Sequence, residues 1–130
     1  MSDRRISKRA MQDIDKKQRI IQELVPGKQI TLAHIIANPD EILYKKLGLD
    51  PSVEYSKSAI GILTLSPAET AIIAGDISIK ASGVELGFVD RFSGTVIVTG
   101  TYSEVEASLK AVTDYAEGTL GFTVCKITKT

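Results

Sequence analysis

The sequence contains few side chains of the kinds that catalyse reactions or bind metal ions. It has one histidine, His34, within an apolar strand pattern, and one cysteine, Cys125, beside Val124. We interpret His34 as a hydrogen-bonded structural residue and Cys125 as a small buried hydrophobic residue, because only Lys126 lies nearby to stabilise a thiolate. One histidine and one cysteine are too few for a zinc site, and the sequence has no glycine-rich phosphate-binding motif. The sequence therefore predicts a protein that is not an enzyme, with no catalytic residue, metal or cofactor.

One short segment, residues 90–94, carries more chemistry than a simple turn needs. Its sequence, DRFSG, places two opposite charges and an aromatic ring between two predicted strands. The final glycine suits a hairpin connection of this length. A plain turn and a functional loop explain the pattern equally well. The candidate site residues here are Asp90, Arg91, Phe92, Ser93 and Gly94.

A second segment, residues 20–25, is an apolar strand without an obvious neighbour in a compact sheet. An unpaired apolar strand promotes aggregation unless another element covers it. Pairing between copies of the chain is the economical solution, so this segment indicates an oligomer. Its residues are Ile20, Ile21, Gln22, Glu23, Leu24 and Val25.

Capping signals predict three helices. The first follows a capping box of Ser66 and Glu69, with proline at the first helical position, and the second follows a box of Ser103 and Glu106. A third, shorter helix begins within residues 38–41 and ends at Gly48. The apolar faces expected on the two longer helices are Ile72, Ile73, Ile77 and Ala81 on the first, and Val105, Leu109, Val112 and Ala116 on the second. Most carboxylates near these helix starts are explained by capping and by the helix dipole.

The strands predicted around these helices give an α+β fold. Residues 59–65, 84–90, 95–100 and 122–127 are apolar or β-branched runs, and residues 29–36 form a further strand upstream. From residue 59 onward the order is strand, helix, strand, strand, helix, strand, which is the ferredoxin-like βαββαβ pattern. This pattern predicts an antiparallel sheet with both helices on one face.

Composition and charge indicate one globular domain with a basic N-terminal extension. The chain has 130 residues, of which 43% are hydrophobic and 25% charged, and its formal net charge is zero. Residues 1–19 hold seven Lys or Arg against three Asp, whereas the remainder holds nine basic and thirteen acidic residues. We interpret residues 1–18 as a flexible extension and residues 19–130 as the folded domain. No apolar run is long enough for a membrane span and no secretory signal is visible, so we expect a cytoplasmic protein that binds neither membrane nor nucleic acid.

Four stretches together resemble the circularly permuted shell proteins of bacterial microcompartments, of the ethanolamine-, propanediol- and choline-utilisation types. They are RIIQELVPGKQITLAHIIA at residues 19–37, AIGILTL at residues 59–65, GFVDRFSG at residues 87–94 and CKITKT at residues 125–130. The similarity runs in order through residues 19–130. It therefore covers nearly the whole predicted domain.

The resemblance implies a structural role performed by interfaces. It implies a cyclic homohexamer that tiles with other shell proteins around metabolic enzymes. Residues 20–25 would form a small parallel β-barrel that plugs the central pore, and residues 90–94 would face the pore axis. Lys80, together with Asp76, matches the edge where hexamers meet. Iron–sulfur clusters occur in one branch of these proteins through pore cysteines, and residues 90–94 contain none, so no cofactor is expected.

Three alternatives remain open at this stage. The main one is a small-molecule-binding regulatory module on the same ferredoxin-like fold, because fold alone does not decide function. A second is nucleic-acid binding through residues 4–19, although no aromatic residue is interleaved with their charges. The third concerns only residues 1–18, which would bind an encapsulated enzyme, thread near the barrel or remain disordered.

Overall fold

One mixed β-sheet organises the chain. The computed structural model describes residues 27–49 and 59–130, and within them it contains six strands and three helices. In chain order these are β1 (Gln29–Ile36), α1 (Glu41–Leu47), β2 (Ala59–Ser66), α2 (Thr70–Ala81), β3 (Glu85–Asp90), β4 (Thr95–Gly100), α3 (Tyr102–Gly118), β5 (Thr123–Val124) and β6 (Thr128–Lys129).

The strand order is β3-β4-β2-β1-β5, and β6 also pairs with β1. β5 and β6 run parallel to β1, whereas the other pairs are antiparallel. The prediction of a wholly antiparallel sheet is therefore wrong. The reason is that β1 occupies the free side of β2, from the pair Gln29 and Ser66 to the pair Ile36 and Ile60. The chain after α3 consequently reaches only the far side of β1. Of the strand predicted at residues 122–127 only the two residues of β5 are present, and β6 follows after its predicted end.

The main core lies between the sheet and the pair α2 and α3. Buried side chains from three central strands and both helices meet there, among them Leu63, Val98 and Leu109. Gly61 lies directly beneath α3, since a Cβ at this position would come within 2.6 Å of Val105. The prediction that both longer helices share one face of the sheet is correct.

The short helix α1 covers the opposite face of the sheet. Tyr44 and Leu49 form a second buried cluster there with Ile60, the neighbour of Gly61 on β2. The predicted helix limits are confirmed, because the Asp40 side chain accepts a hydrogen bond from the Ile42 backbone N–H at 2.9 Å. At the other end, Gly48 adopts a positive φ of 69° and closes the helix.

Helix α3 begins two residues earlier than its predicted capping box. The box is formed by Thr101 and Glu104: the Thr101 hydroxyl accepts from the Glu104 N–H at 3.2 Å, and the Glu104 carboxylate accepts from the Thr101 N–H at 2.9 Å. Thr101 follows β4 directly and has extended backbone angles, so it is the first residue able to cap the helix. The predicted apolar face is confirmed, because its four residues are buried.

The predicted start of α2 is wrong, and of its predicted apolar face only Ile77 packs against the main core. Ser66 is the last residue of β2 and the helix begins at Thr70, with no side-chain cap at Glu69. The Pro67 carbonyl oxygen instead accepts hydrogen bonds from the Thr70 N–H and hydroxyl. The buried residues of α2 are small: Ala71, Ala74, Gly75 and Ser78.

Small residues are buried on α2 because this helix packs very close to its neighbours. The Ser108 hydroxyl of α3 donates to the Ser78 carbonyl oxygen at 2.8 Å, which brings the two helix backbones together. A Cβ at Gly75 would already lie 3.3 Å from Val89 of β3. Larger side chains do not fit on this face, so Ile72 and Ile73 remain 53% and 43% exposed.

Candidate functional site

The turn after β3, residues 91–94, is organised by the carboxylate of Asp90. One carboxylate oxygen accepts from the Phe92 backbone N–H at 2.9 Å, and the other accepts from the Ser93 hydroxyl at 2.8 Å. The Asp90 carbonyl oxygen accepts from the Gly94 N–H at 2.8 Å. The hydrogen bonds from Phe92, and then that from Ser93, lower the pKa of Asp90 below its ordinary value of 3.8. Asp90 is therefore an ionised scaffold for the turn.

Gly94 attaches the turn to the end of β2. Its φ is 78°, a backbone conformation that favours glycine. The Gly94 carbonyl oxygen accepts from the Leu65 N–H at 2.8 Å. A Cβ at this position would collide with the Leu65 carbonyl oxygen and lie 3.1 Å from the Ala68 Cα. Gly94 therefore holds the turn against the end of β2 through this hydrogen bond and this close backbone contact.

Arg91 and Phe92 form the outer surface of the turn. Phe92 is 80% exposed, the highest value among the large hydrophobic residues of the described chain. The Arg91 guanidinium carbon lies 5.0 Å from the centroid of the Phe92 ring, within cation–π range. The turn therefore presents a cation and an aromatic ring from a rigid base, which is the composition expected of a contact or pore surface rather than of a catalytic centre.

We expect Asp90→Asn to change the acid dependence of stability. Because the folded-state pKa is lowered, the carboxylate contributes stability above about pH 4, the unfolded value, and loses it as the pH falls through the lower folded value. Urea titrations of the parent chain and of the variant, at several pH values from about 2 to 6, measure this difference. The difference in the free energy of unfolding between the parent chain and the variant should become smaller toward low pH. A gap that is the same at every pH would contradict the role given to the ionised carboxylate.

Asp76 and Lys80, the predicted edge residues, face outward together on α2. The Lys80 Nζ lies 2.8 Å from the Asp76 Oδ2, and the two side chains are 74% and 59% exposed. An exposed pair at this helical spacing contributes only about 0.5 kcal/mol to folding. Both groups are thus available to another molecule without loss to the fold.

His34 and Cys125 play no part in this site. The two ring nitrogens of His34 lie 2.6 Å and 2.9 Å from the hydroxyls of Thr128 and Thr130. His34 therefore ties the end of the chain to β1, and its interpretation as a hydrogen-bonded structural residue is confirmed. Cys125 is half-buried against the main core rather than fully buried. Within residues 27–49 and 59–130, no three potential metal ligands cluster together.

Comparison with known proteins assigns the family. The family model for the BMC domain matches residues 59–128, which include α2, the turn and α3. The chain belongs to the BMC-domain family. In the described part of this BMC-domain chain, no helix has the length and apolar character needed to cross a membrane.

Relatives of the chain agree with this assignment. It is 56% identical to the bacterial microcompartment shell protein PduU of Salmonella typhimurium, over 86% of this chain and 93% of that protein. It is 51% identical to the shell protein EutS of the same organism, over 87% and 97%. It is 48% identical to the shell protein CutR of Streptococcus intermedius, over 92% and 98%. A solved structure described as a CutR flat hexamer matches with a TM-score of 0.75 and 47% identity, covering 82% of this chain and 94% of that chain.

These relatives decide the class of the protein. The expectation of a microcompartment shell protein, drawn from residues 19–130, is confirmed, and with it the expectation of a structural protein rather than an enzyme. The same relatives support the predicted location in the shell of a bacterial microcompartment.

The sequence did not predict that several apolar residues of α2 and β3 are exposed. Ile72 and Ile79 on α2, and Leu86 and Phe88 on β3, are each between 42% and 53% exposed. The small residues of α2, spaced three and four apart from Ala71 to Ser78, were the signal that this helix buries its other face.

Proposed function

We propose that this BMC-domain protein forms a cyclic homohexamer that serves as a tile of the microcompartment shell. The observation that carries the proposal is its similarity to the CutR flat hexamer, with a TM-score of 0.75 over 82% of this chain. Six chains of 14.0 kDa give a mass of 84 kDa. Light scattering at moderate salt should measure that mass or larger sheets. A stable monomer would contradict the proposed hexamer.

The turn at residues 90–94 is proposed to surround the six-fold axis. Three features support this position: the turn is rigid, it projects an exposed aromatic ring, and its two charges are opposite in sign. Because the Asp90 carboxylate is engaged within its own turn, Arg91 is the charge left free to act on a solute. Six copies of Arg91 and Phe92 would then determine the field and the width of the opening.

Residues 20–25 are proposed to form the barrel that plugs this pore; they lie outside the described residues. The support comes from the point where the described chain begins. Gly27 lies two residues before the first residue of β1. Ile30 of β1 pairs with Leu65, whose N–H donates to the Gly94 carbonyl oxygen. The start of β1 therefore lies at the same end of the sheet as the turn, two strands or about 10 Å away from β4. A strand formed by residues 20–25, which precede the start of β1, would therefore begin near the proposed six-fold axis.

The circular permutation is proposed from the order of strands. In the ferredoxin-like pattern the last strand follows the second helix, and here that helix is α3. The place beside β2 is taken instead by β1, which precedes β2 in the chain. The family model begins only at residue 59, after β1. Moving one strand from the end of the domain to its beginning accounts for both observations.

Asp76 and Lys80 are proposed to lie at the edge where one hexamer meets the next or another shell protein. Lys80→Ala should reduce sheet formation severalfold and leave the individual hexamer intact, because the side chain is exposed and its ion pair adds little to folding. Electron microscopy of sheets and light scattering of the soluble fraction measure the two properties. Lys46→Ala is the matched control, since Lys46 is also an exposed lysine in the last turn of a helix. Loss of the hexamer itself would contradict the edge assignment.

Residues 1–18 are proposed to extend from the domain formed by residues 19–130 and to contact an encapsulated enzyme. Residues 1–18 lie wholly outside the described residues, and the domain assignment at residues 19–130 lies partly outside them. Six tails that each carry a charge surplus repel one another when packed closely at low salt, so an acidic partner is favoured. Deletion of residues 1–18 should leave six chains per particle by light scattering. A monomeric product would show that the segment belongs to the assembly itself.

A further inference from the structure

Arg91 carries a positive charge that no carboxylate of the described chain pairs with. The carboxylate of its neighbour Asp90 accepts hydrogen bonds from the Phe92 N–H and the Ser93 hydroxyl instead. The ion pairs formed within residues 27–49 and 59–130 lie on α2 and α3, and none of them includes Arg91. Arg91 is also exposed to solvent. Its charge is therefore available to an anion that comes from outside the chain.

The Phe92 ring supports the Arg91 guanidinium without using its hydrogen-bond donors. The guanidinium carbon lies over the ring, 5.0 Å from its centroid, so the π-face of the ring attracts the cation. Within the part of the chain that the structure describes, the guanidinium N–H groups donate to no other residue. A guanidinium presents these donors as a planar fork, which matches two oxygens of a carboxylate or a phosphate. Arg91 thus has the geometry that binds oxyanions.

The turn that carries Arg91 is held in place before any ligand arrives. The Gly94 carbonyl oxygen accepts from the Leu65 N–H at 2.8 Å. The Ser93 hydroxyl lies 3.1 Å from the Thr95 hydroxyl, in addition to its bond to Asp90. A binding group whose backbone is already fixed loses less conformational entropy on binding. This organisation favours recognition of a small solute over a nonspecific charged surface.

The proposed hexamer repeats this group six times around one axis, and the inference rests on that hexamer. Guanidinium groups brought close to a common axis repel one another, and an anion on the axis attracts all of them at once. The attraction increases with the charge of the anion, so a polyvalent anion is favoured over a monovalent one. We propose that the six copies of Arg91 form one binding site on the six-fold axis for a small polyvalent oxyanion, a phosphate or a di- or tricarboxylate. The site is incomplete in a single subunit.

The number of bound anions tests the position of the site. Isothermal titration calorimetry of the full chain would use citrate, phosphate and acetate at one ionic strength set by sodium chloride. Citrate should bind at about one molecule per six chains, because the site lies on the axis, whereas a site within one subunit would take six. Acetate should bind at least about tenfold more weakly than citrate, because it carries a single charge. Light scattering of the same samples should measure the 84 kDa hexamer.

Two substitutions of Arg91 test the residue itself. Arg91→Gln should abolish citrate binding and leave the mass of the particle unchanged, because the side chain is exposed. Arg91→Lys keeps the charge and loses the planar fork of donors, so it should weaken citrate binding severalfold. Lys46→Gln removes an exposed positive charge from α1 and is the matched control, which should bind citrate as the parent chain does.

The outcomes separate this inference from the proposed function. A parent chain that is not hexameric overturns both. A hexameric parent overturns the inference alone if it binds no citrate, if it binds six molecules, or if its binding survives Arg91→Gln. Should Arg91→Gln fail to form the hexamer, Arg91→Lys decides: a severalfold loss of affinity supports the site, and parental affinity overturns it.

Discussion

Gly94→Ala should lower the free energy of unfolding by about 3 kcal/mol and detach the turn at residues 91–94 from β2. Two effects add. An alanine at a positive φ is strained by about 1 kcal/mol or slightly more. In addition, its methyl group would collide with the Leu65 carbonyl oxygen, and the backbone shift that relieves this collision costs about 2 kcal/mol. The Leu65 to Gly94 hydrogen bond is then lost as well.

Gly48→Ala provides the matched control for this prediction. Gly48 has nearly the same φ, 69°, but nothing lies within 4 Å of the place where its Cβ would be. Only the strain of the positive φ applies there, so the expected loss is about 1 kcal/mol. Urea unfolding of both variants measures the difference, which isolates the contact between the turn and the sheet. Equal losses for the two variants would contradict the close approach of Gly94 to Leu65.

Ile21→Asp should produce the second large effect, through the proposed barrel. A small apolar barrel provides no partner for a carboxylate, and a buried unpaired charge is destabilising by several kcal/mol. Six-fold symmetry repeats this penalty in every subunit. We therefore expect the thermal midpoint of the hexamer to fall substantially and the barrel to open.

The conservative change Ile21→Leu is the control, because it keeps volume and apolarity and should shift the midpoint little. The deletion of residues 1–18 provides a further reference, since it leaves residue 21 in place. An Ile21→Asp hexamer with the thermal midpoint of the parent would mean that residue 21 is not buried. The proposal of a plug formed by residues 20–25 would then be withdrawn, while the hexamer itself would stand.

The helices illustrate where local sequence signals were sufficient and where they were not. The limits of α1, a start within residues 38–41 and an end at Gly48, were predicted correctly, because Asp40 and Gly48 act on their own backbone neighbours. The buried face of α3 was also predicted, because large apolar residues at helical spacing have only one place to be buried. In α2 the same rule failed. That helix buries alanine, glycine and serine, since Ser108 of α3 and Val89 of β3 approach it too closely for isoleucine.

In the candidate site, too, the sequence indicated the residues but not their arrangement. The residues of the turn were identified from the unusual combination of charge and aromatic side chain in residues 90–94. Their arrangement was not predictable, because it depends on hydrogen bonds that close only when β3 and β4 pair and when Leu65 of β2 meets Gly94. Asp76 and Lys80 are four residues apart on α2, so the sequence implied their proximity, and the fold decided that they face outward.

By itself the sequence determined the helix ends that depend on local caps, most of the strands, the absence of conventional catalytic motifs and, through its resemblance, the shell-protein family. Only the tertiary structure decided which strands and helices lie next to one another. β1 paired with β2 and displaced the end of the chain, which made the sheet mixed and left an open groove between α3 and residues 124–129. The close packing of α2 placed its isoleucines on the surface. The physical reason is that caps act over three or four residues, whereas strand pairing and helix approach depend on which distant segments fill the same space.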